Sequence, residues 1–246
     1  MEYLVIDIET SPIPFDHFDD ARQEYLLRGT SSEEEQEKKK GEMALSPLTG
    51  YIVCIGMLHY TKSPDGTYTE TKKVCLVRDV NDSADMHREE LPSGVVMVRY
   101  SEHQLVSDFW KYLKTHLDQG KKSHFITFNG RGFDFPFLML RSAVLGIRPS
   151  INLMNGTRWS YRDQHTDLMD ELTYFNPQNS GATRRYNFDF FTKSFGVTSP
   201  KAAGIDGSKV STFYQAEDYA TIAEYCLRDV KATWELYLKW VELLKF

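Results

Sequence analysis

The chain opens on Tyr3-Leu-Val-Ile-Asp-Ile8, a near-continuous apolar run that is β-branched in its middle. Such a run predicts a central strand buried on both faces. Tyr51–Tyr60 and Thr67–Val77 predict two more strands, joined by the turn signal Ser63-Pro-Asp-Gly66. His124–Phe128 predicts a further short strand. Ser101 with Gln104 forms a capping-box pattern, and Leu105, Phe109, Trp110, Leu113 and Leu117 follow at helical spacing up to Gly120. A second helix is expected after Asp134, with Pro136 in its first turn, apolar positions at Leu140, Val144 and Leu145, and a stop at Gly146. Asn187 is placed to cap a helix that turns Phe188, Phe191 and Phe195 inward and closes at Gly196. The last long helix carries Ile222, Tyr225, Cys226, Asp229, Val230, Thr233, Leu236, Tyr237 and Trp240 on one face.

Between these elements lie polar stretches. Residues 16–29 allow a short helix, and Ser31–Glu42 (SSEEEQEKKKGE) is a charge run without an apolar face. Its acid-before-lysine spacing fits a solvated helix or loop. A basic contact from Lys38–Lys40 to a substrate is the alternative. Residues 79–94 read as a loop, as does Ser199–Gly207. Absence of a repeat or clear linker gives one domain over 1–246, with 16–46 as a polar insertion.

Composition is that of a soluble globular chain: 246 residues, 41% hydrophobic, 26% charged, net charge −6. The acidic balance argues against a protein held to nucleic acid by a broad basic surface. It leaves room for an enzyme that grips a few nucleotides and for a site built of carboxylates. Cys54, Cys75 and Cys226 lack zinc-ligand spacing, and their odd number does not suggest a disulfide framework. No leader and no membrane-length apolar run is seen, so a reducing, cytoplasmic setting is expected.

Several acids stand where packing alone does not ask for them. Asp7 and Glu9 alternate onto one side of the first strand, near its C-terminal end, where open α/β sheets bind ligands. Two acids side by side on a buried strand repel each other, and a cation between them removes the cost. Asp134 sits at a strand-to-helix turn, as a cap or as part of a site. Asp229 lies on the packing face of the last helix with Tyr225 one turn before it. Asp167 fits a helix cap better than a ligand, and His165 is assigned a structural role.

In this order, Asp7-Ile-Glu9-Thr10, Asn129-x-x-x-Phe133-Asp134 and Tyr225-x-x-x-Asp229 resemble the motifs of the DEDD superfamily of 3′–5′ exonucleases. The Phe-Pro-Phe-Leu continuation after Asp134 is most similar to the proofreading domain of family-B DNA polymerases and to stand-alone bacterial exonucleases related to it. The resemblance covers nearly the whole chain. It falls in the tyrosine branch, because Tyr225 stands four before Asp229, while the position where the other branch has histidine is Glu224.

The resemblance implies an α/β, ribonuclease-H-like fold, with a mixed five-stranded sheet flanked by helices. It implies a phosphodiester hydrolase in which Asp7, Glu9, Asp134 and Asp229 hold two Mg²⁺ or Mn²⁺ ions, Asp7 bridging both. Tyr225 would orient the attacking water or help to deprotonate it. Hard oxygen ligands suit these ions. Thr10, Asn129 and Phe133 would contact the substrate, a single strand with a free 3′ end, DNA favoured over RNA, in a setting such as DNA repair. Arg184, Arg185, Lys193, Lys201 and Lys209 could line its path or be scattered surface charge. Rival expectations are an exoribonuclease with the same chemistry and a non-catalytic nucleic-acid-binding module on the same fold. No membrane and no particular protein partner is implied.

Overall fold

The structure, a computed structural model, describes residues 2–118, 123–156, 160–176, 178–199 and 207–245, apart from the side chains of Leu117, Tyr161 and Ser208. The expected helix stop near Gly120, the inward Leu117, Lys201 and most of the 199–207 loop lie outside this description.

A mixed sheet runs through the chain in the order β4-β5-β3-β2-β1-β6-β7. Its centre is β1 (Glu2–Pro12), antiparallel to β2 (Gly50–Lys62) and parallel to β6 (Ser123–Thr127). β3 (Tyr68–Arg78) pairs antiparallel with β2, and β7 (His165–Asp167) pairs parallel with β6. These five contiguous strands answer the expected sheet. Two more extend it past β3, β5 (Val96–Tyr100) and β4 (His87–Glu90), making seven strands where five were expected. β4 falls in the stretch read as a loop. All four of its side chains are exposed, so this edge strand has no apolar alternation to betray it.

β1 is apolar nearly throughout because both of its faces are covered. Tyr3 and Val5 enter one core with α8 (Tyr219–Leu243). Leu4, Ile6 and Ile8 enter the other, beneath α3 (Glu102–Asp118) and α4 (Asp134–Val144). All nine residues predicted for the inner face of α8 are buried. Trp234 anchors that helix by stacking on Tyr60, ring centroids 4.0 Å apart. Under α3, the buried pair Arg141–Glu102 (2.7 Å) is backed by the Ile52 amide, which donates to Glu102. The Ser101 hydroxyl accepts from the Gln104 amide, as the capping pattern predicts.

α4 corrects one expectation. Leu140 and Val144 are about half exposed, at 53% and 51%. The buried face is Phe135, Phe137 and Leu138 with Arg141 and Ser142. Asp134 fixes the rotation: once its carboxylate is pinned to β1, positions three, four, seven and eight residues on face the sheet, and Leu140 falls outside.

The insertion consists of α1 (Asp20–Leu26), α2 (Glu33–Glu42) and single 3₁₀ turns at Phe15–His17 and Met43–Leu45. α2 buries no side chain and is capped by the Ser32 hydroxyl. It is an exposed helix, as the charge run predicts. β7 runs into α5 (Leu168–Leu172), followed by α6 (Phe188–Ser194), which Asn187 caps, and by α7 (Val210–Gln215). Phe188, Phe191 and Phe195 pack partly buried against the core.

Candidate active site

The site is assembled where β1 outruns its parallel neighbour. β6 pairs with β1 only as far as Val5, so the Ile8 amide has no strand partner on that side. Asp134 supplies one: Ile8 N donates to Asp134 Oδ1 at 3.0 Å. Asp7 and Glu9 stand either side of Ile8 and project to the α8 face.

The turn from β6 to α4 is held from below. Asp167 caps α5 by accepting from Met169 N, and its two oxygens also accept from Asn129 N and Arg131 N, at 2.8 Å each. It is the cap that its spacing predicts, and it also positions the Asn129–Asp134 turn. The sequence carries no signal for this second role, because the partners lie more than 35 residues away. Asn129 takes a left-handed conformation, φ 62°. Gly130 packs so tightly on Thr127 that an added Cβ would fall 2.3 Å from its hydroxyl.

From the other side α8 brings Tyr225 and Asp229. Cys226, between them in sequence, lies over Gly56, and its thiol reaches the Asp7 carbonyl and carboxylate at 3.7 and 3.8 Å. Ligand atoms of Asp7, Glu9 and Cys226 lie within 4.8 Å of one another. The three cysteines, unrelated by spacing, gather as buried free thiols in mutual contact behind Asp7.

Electrostatics record the crowding. Removal from water holds the Asp7 carboxyl well above the usual range, with further increments from Asp134, Asp229 and Glu9. Glu9 is raised in the same way, by burial and then by Asp229 and Asp134. Asp134 is pushed up to about 7, chiefly by burial and against the pull of the Ile8 amide. The Tyr225 phenol is raised by burial and by Asp229, Glu9 and Asp7, and it hydrogen-bonds Asp229. A phenol so placed stays protonated at neutral pH.

Two cavities adjoin Asp7, Glu9 and Asp229. One is lined by Asp7, Phe128, Phe188, Tyr225, Asp229 and Gly207. The other, about 620 Å³, is lined by Glu9, Thr10, Phe133, Lys38, Leu45 and again Gly207. Thr10 and Phe133 therefore share a cavity with a candidate acid, and the insertion forms the opposite wall. Asn129 is bound up in its turn, its side chain packed on Gly132. His165 bonds the Thr127 hydroxyl, 2.8 Å, and burial lowers its pKa. Of the basic residues, Arg185 is paired with Asp170 and Lys193 with Asp189.

Residues 69–245 match the family model described as predicted 3′–5′ exonuclease related to the exonuclease domain of PolB. The chain belongs to this family. The family is one of predicted 3′–5′ exonucleases. The match begins after β1 and so does not include Asp7 and Glu9. The chain is also similar to the catalytic polypeptide of DNA polymerase epsilon from Emericella nidulans, 27% identical over 200 residues, 76% of this chain. The corresponding polypeptide of Aspergillus fumigatus is 28% identical over 200 residues, 76% of this chain. The chain spans only 8% of the length of these curated relatives. In fold it resembles the family B DNA polymerase of the archaeon Pyrobaculum calidifontis, with a TM-score of 0.54 and 18% identity, covering 98% of this chain and 24% of that one. That likeness supports the ribonuclease-H-like architecture. Among the described residues no helix is long and apolar enough to cross a membrane.

Proposed function

We propose that residues 1–246 form one metal-dependent 3′–5′ exonuclease domain that hydrolyses single-stranded DNA from its 3′ end. One observation carries this: Asp7, Glu9, Asp134 and Asp229, from three separated segments, lie close enough for Asp134 and Asp229 to act on both Asp7 and Glu9, with Tyr225 bonded to Asp229. Burial and neighbouring carboxylates raise the proton affinity of Asp7, Glu9 and Asp134, and an all-oxygen donor set of this charge fits Mg²⁺ or Mn²⁺. Asp7, Glu9, Asp134 and Asp229 would hold two such ions. When bound, divalent ions acidify a water and offset charge on the phosphate.

The chain's own groups do the rest. The Tyr225 phenol, protonated and bonded to Asp229, orients the water in line with the scissile bond by its hydrogen bond; its raised pKa speaks against a role as base. Water oxygen joins phosphorus, the P–O3′ bond breaks, and the 3′ oxygen leaves as a hydroxyl. Thr10 and Phe133 seat the terminal nucleotide in the cavity beside Glu9. Its volume of about 620 Å³ suits such a ligand, since small-molecule clefts run from roughly 300 to 1,000 Å³. Lys38 of the insertion lines the same cavity and offers a cation to a phosphate.

Upstream bases have a platform. Tyr186 and Phe190 stack on each other, ring centroids 4.3 Å apart, with Arg184 over Tyr186. Both rings are exposed and flank Asn187 and Phe188, which line the catalytic cavity. Aromatic faces of this kind accept bases of any sequence. Similarity to proteins named DNA polymerases favours DNA over RNA.

The test is a 5′-labelled single-stranded DNA and a matched RNA, incubated with Mg²⁺, Mn²⁺ or EDTA beside Asp7→Ala. The expected result is a metal-dependent ladder shortening from the 3′ end, faster on DNA and absent in the variant. Binding without degradation under every metal would overturn the proposal in favour of a binding module.

A further inference from the structure

Three metal-ligating side chains meet on the sheet face that looks away from the acids. Glu2 opens β1, His59 lies near the end of β2, and His116 is in the last turns of α3. Strand register brings the first two together. Glu2 pairs with Thr61 and Leu4 pairs with His59, so both side chains project toward α3. There the His59 ring meets His116 edge-on, centroids 4.7 Å apart. One ligand atom from each of the three residues lies within 4.8 Å of the other two. Glu2 Oε2, His59 Nε2 and His116 Nδ1 are each shielded from solvent.

The spacing matches coordination. A tetrahedral zinc ion with bonds of about 2.1 Å holds its ligands about 3.4 Å apart. His116 Nδ1 stands 3.2 Å from Glu2 Oε2, already one edge of such a tetrahedron. The donor set also differs in kind from the catalytic one. Two imidazoles and one carboxylate suit Zn²⁺ and its transition-metal neighbours, whereas Mg²⁺ and Mn²⁺ favour all-oxygen sites. Tyr112 touches both rings edge-on and holds their orientation, as groups around a metal's ligands commonly do.

We propose that Glu2, His59 and His116 form a second metal site, selective for Zn²⁺ over Mg²⁺, with a fourth position left to water. The ion clamps the start of β1, the end of β2 and the C-terminal turns of α3. Five residues of extended chain, about 17 Å, separate Glu2 from Asp7, and the two face opposite sides of the sheet. The site is therefore independent of the exonuclease chemistry. Its metal acts on the fold, because an ion bound only by the native state stabilises that state.

The full chain, stripped with EDTA and desalted, is titrated with ZnCl₂ in excess MgCl₂ so that Mg²⁺ occupies the carboxylate site. Bound metal is counted by mass spectrometry and Tm is followed in parallel. The expected result is one Zn²⁺ per chain, a higher Tm, and the same uptake in Asp7→Ala. His116→Ala and His59→Gln, checked for folding by circular dichroism, should each weaken binding by at least about tenfold. His116 keeps 14% of its side chain exposed, whereas His59 is buried, so its variant keeps the test valid if His59→Gln fails to fold. Absence of stoichiometric zinc in the wild type, loss of uptake in Asp7→Ala, or wild-type uptake by the folded histidine variants would overturn the proposal. The three side chains would then be a hydrogen-bonded packing cluster only.

Discussion

Gly56 lies directly beneath Cys226: a Cβ built on the glycine would come 2.5 Å from the Cys226 thiol. Gly56 is also the β2 partner of Asp7. The same small residue thus lets α8 settle on the sheet and sets the distance from Asp7 to Tyr225 and Asp229. Gly56→Ala should lift the helix, lower stability by about 1–3 kcal/mol through overpacking, and cut exonuclease rate by on the order of a hundredfold through misplacement. Gly56→Ala with Cys226→Ala removes the clashing sulfur and should recover most of both. Chemical denaturation and single-strand digestion measure the pair; a double variant as poor as the single would show that the contact is not what positions the helix.

Asp167→Ala leaves three backbone amides without their acceptor, two of them in the turn that delivers Asp134. A cost of about 2–3 kcal/mol is expected from lost capping and unpaired donors. Activity should fall by less than in Asp134→Ala, because Asp167 acts through the turn. Equal losses in the two variants would instead make Asp167 a ligand.

Tyr225→Phe retains the ring and removes the hydroxyl that bonds Asp229. If the phenol orients water, the rate should drop about ten- to a hundredfold while the pH–rate profile keeps its shape. A profile that loses an ionisation on this substitution would restore the phenol as base.

Metal affinity should rise with pH. Asp134 has a folded pKa near 7 and Asp7 and Glu9 are raised as well, whereas unfolded carboxyls titrate near 4. Without metal, the folded state therefore binds more protons than the unfolded state above pH 4, and these acids cost stability as pH climbs through the folded values. Below about pH 6.5 the buried His124 and His165, both lowered, oppose the trend, so the clear window is pH 6.5–8. In it the EDTA-treated protein should lose stability as pH rises, and Mg²⁺ should raise Tm more at pH 8 than at pH 6. Thermal scans with and without Mg²⁺ check both signs, and Asp134→Asn should flatten the slope.

Much of this was legible in the sequence, and the reasons differ by element. β1 was legible because a strand buried on both faces must be apolar, which left Asp7 and Glu9 conspicuous. The inner face of α8 was legible because a long helix packed on a sheet repeats every three to four residues. The acids themselves stood out because a buried carboxylate has no packing purpose. The edge strand β4 was not legible, since a strand exposed on both faces carries no alternation. Nor was the rotation of α4, which a hydrogen bond from Ile8 to Asp134 sets across 126 residues. Tertiary structure alone decided what lies far apart in the chain and close in space. It set Gly56 under Cys226, gave Asp167 its hold on the Asn129 turn, turned Lys38 of the insertion toward the cavity beside Glu9, and joined Glu2 to two histidines. Local periodicity reports which face of an element is buried; which residues then meet across that face depends on register and close packing, which only the folded chain fixes.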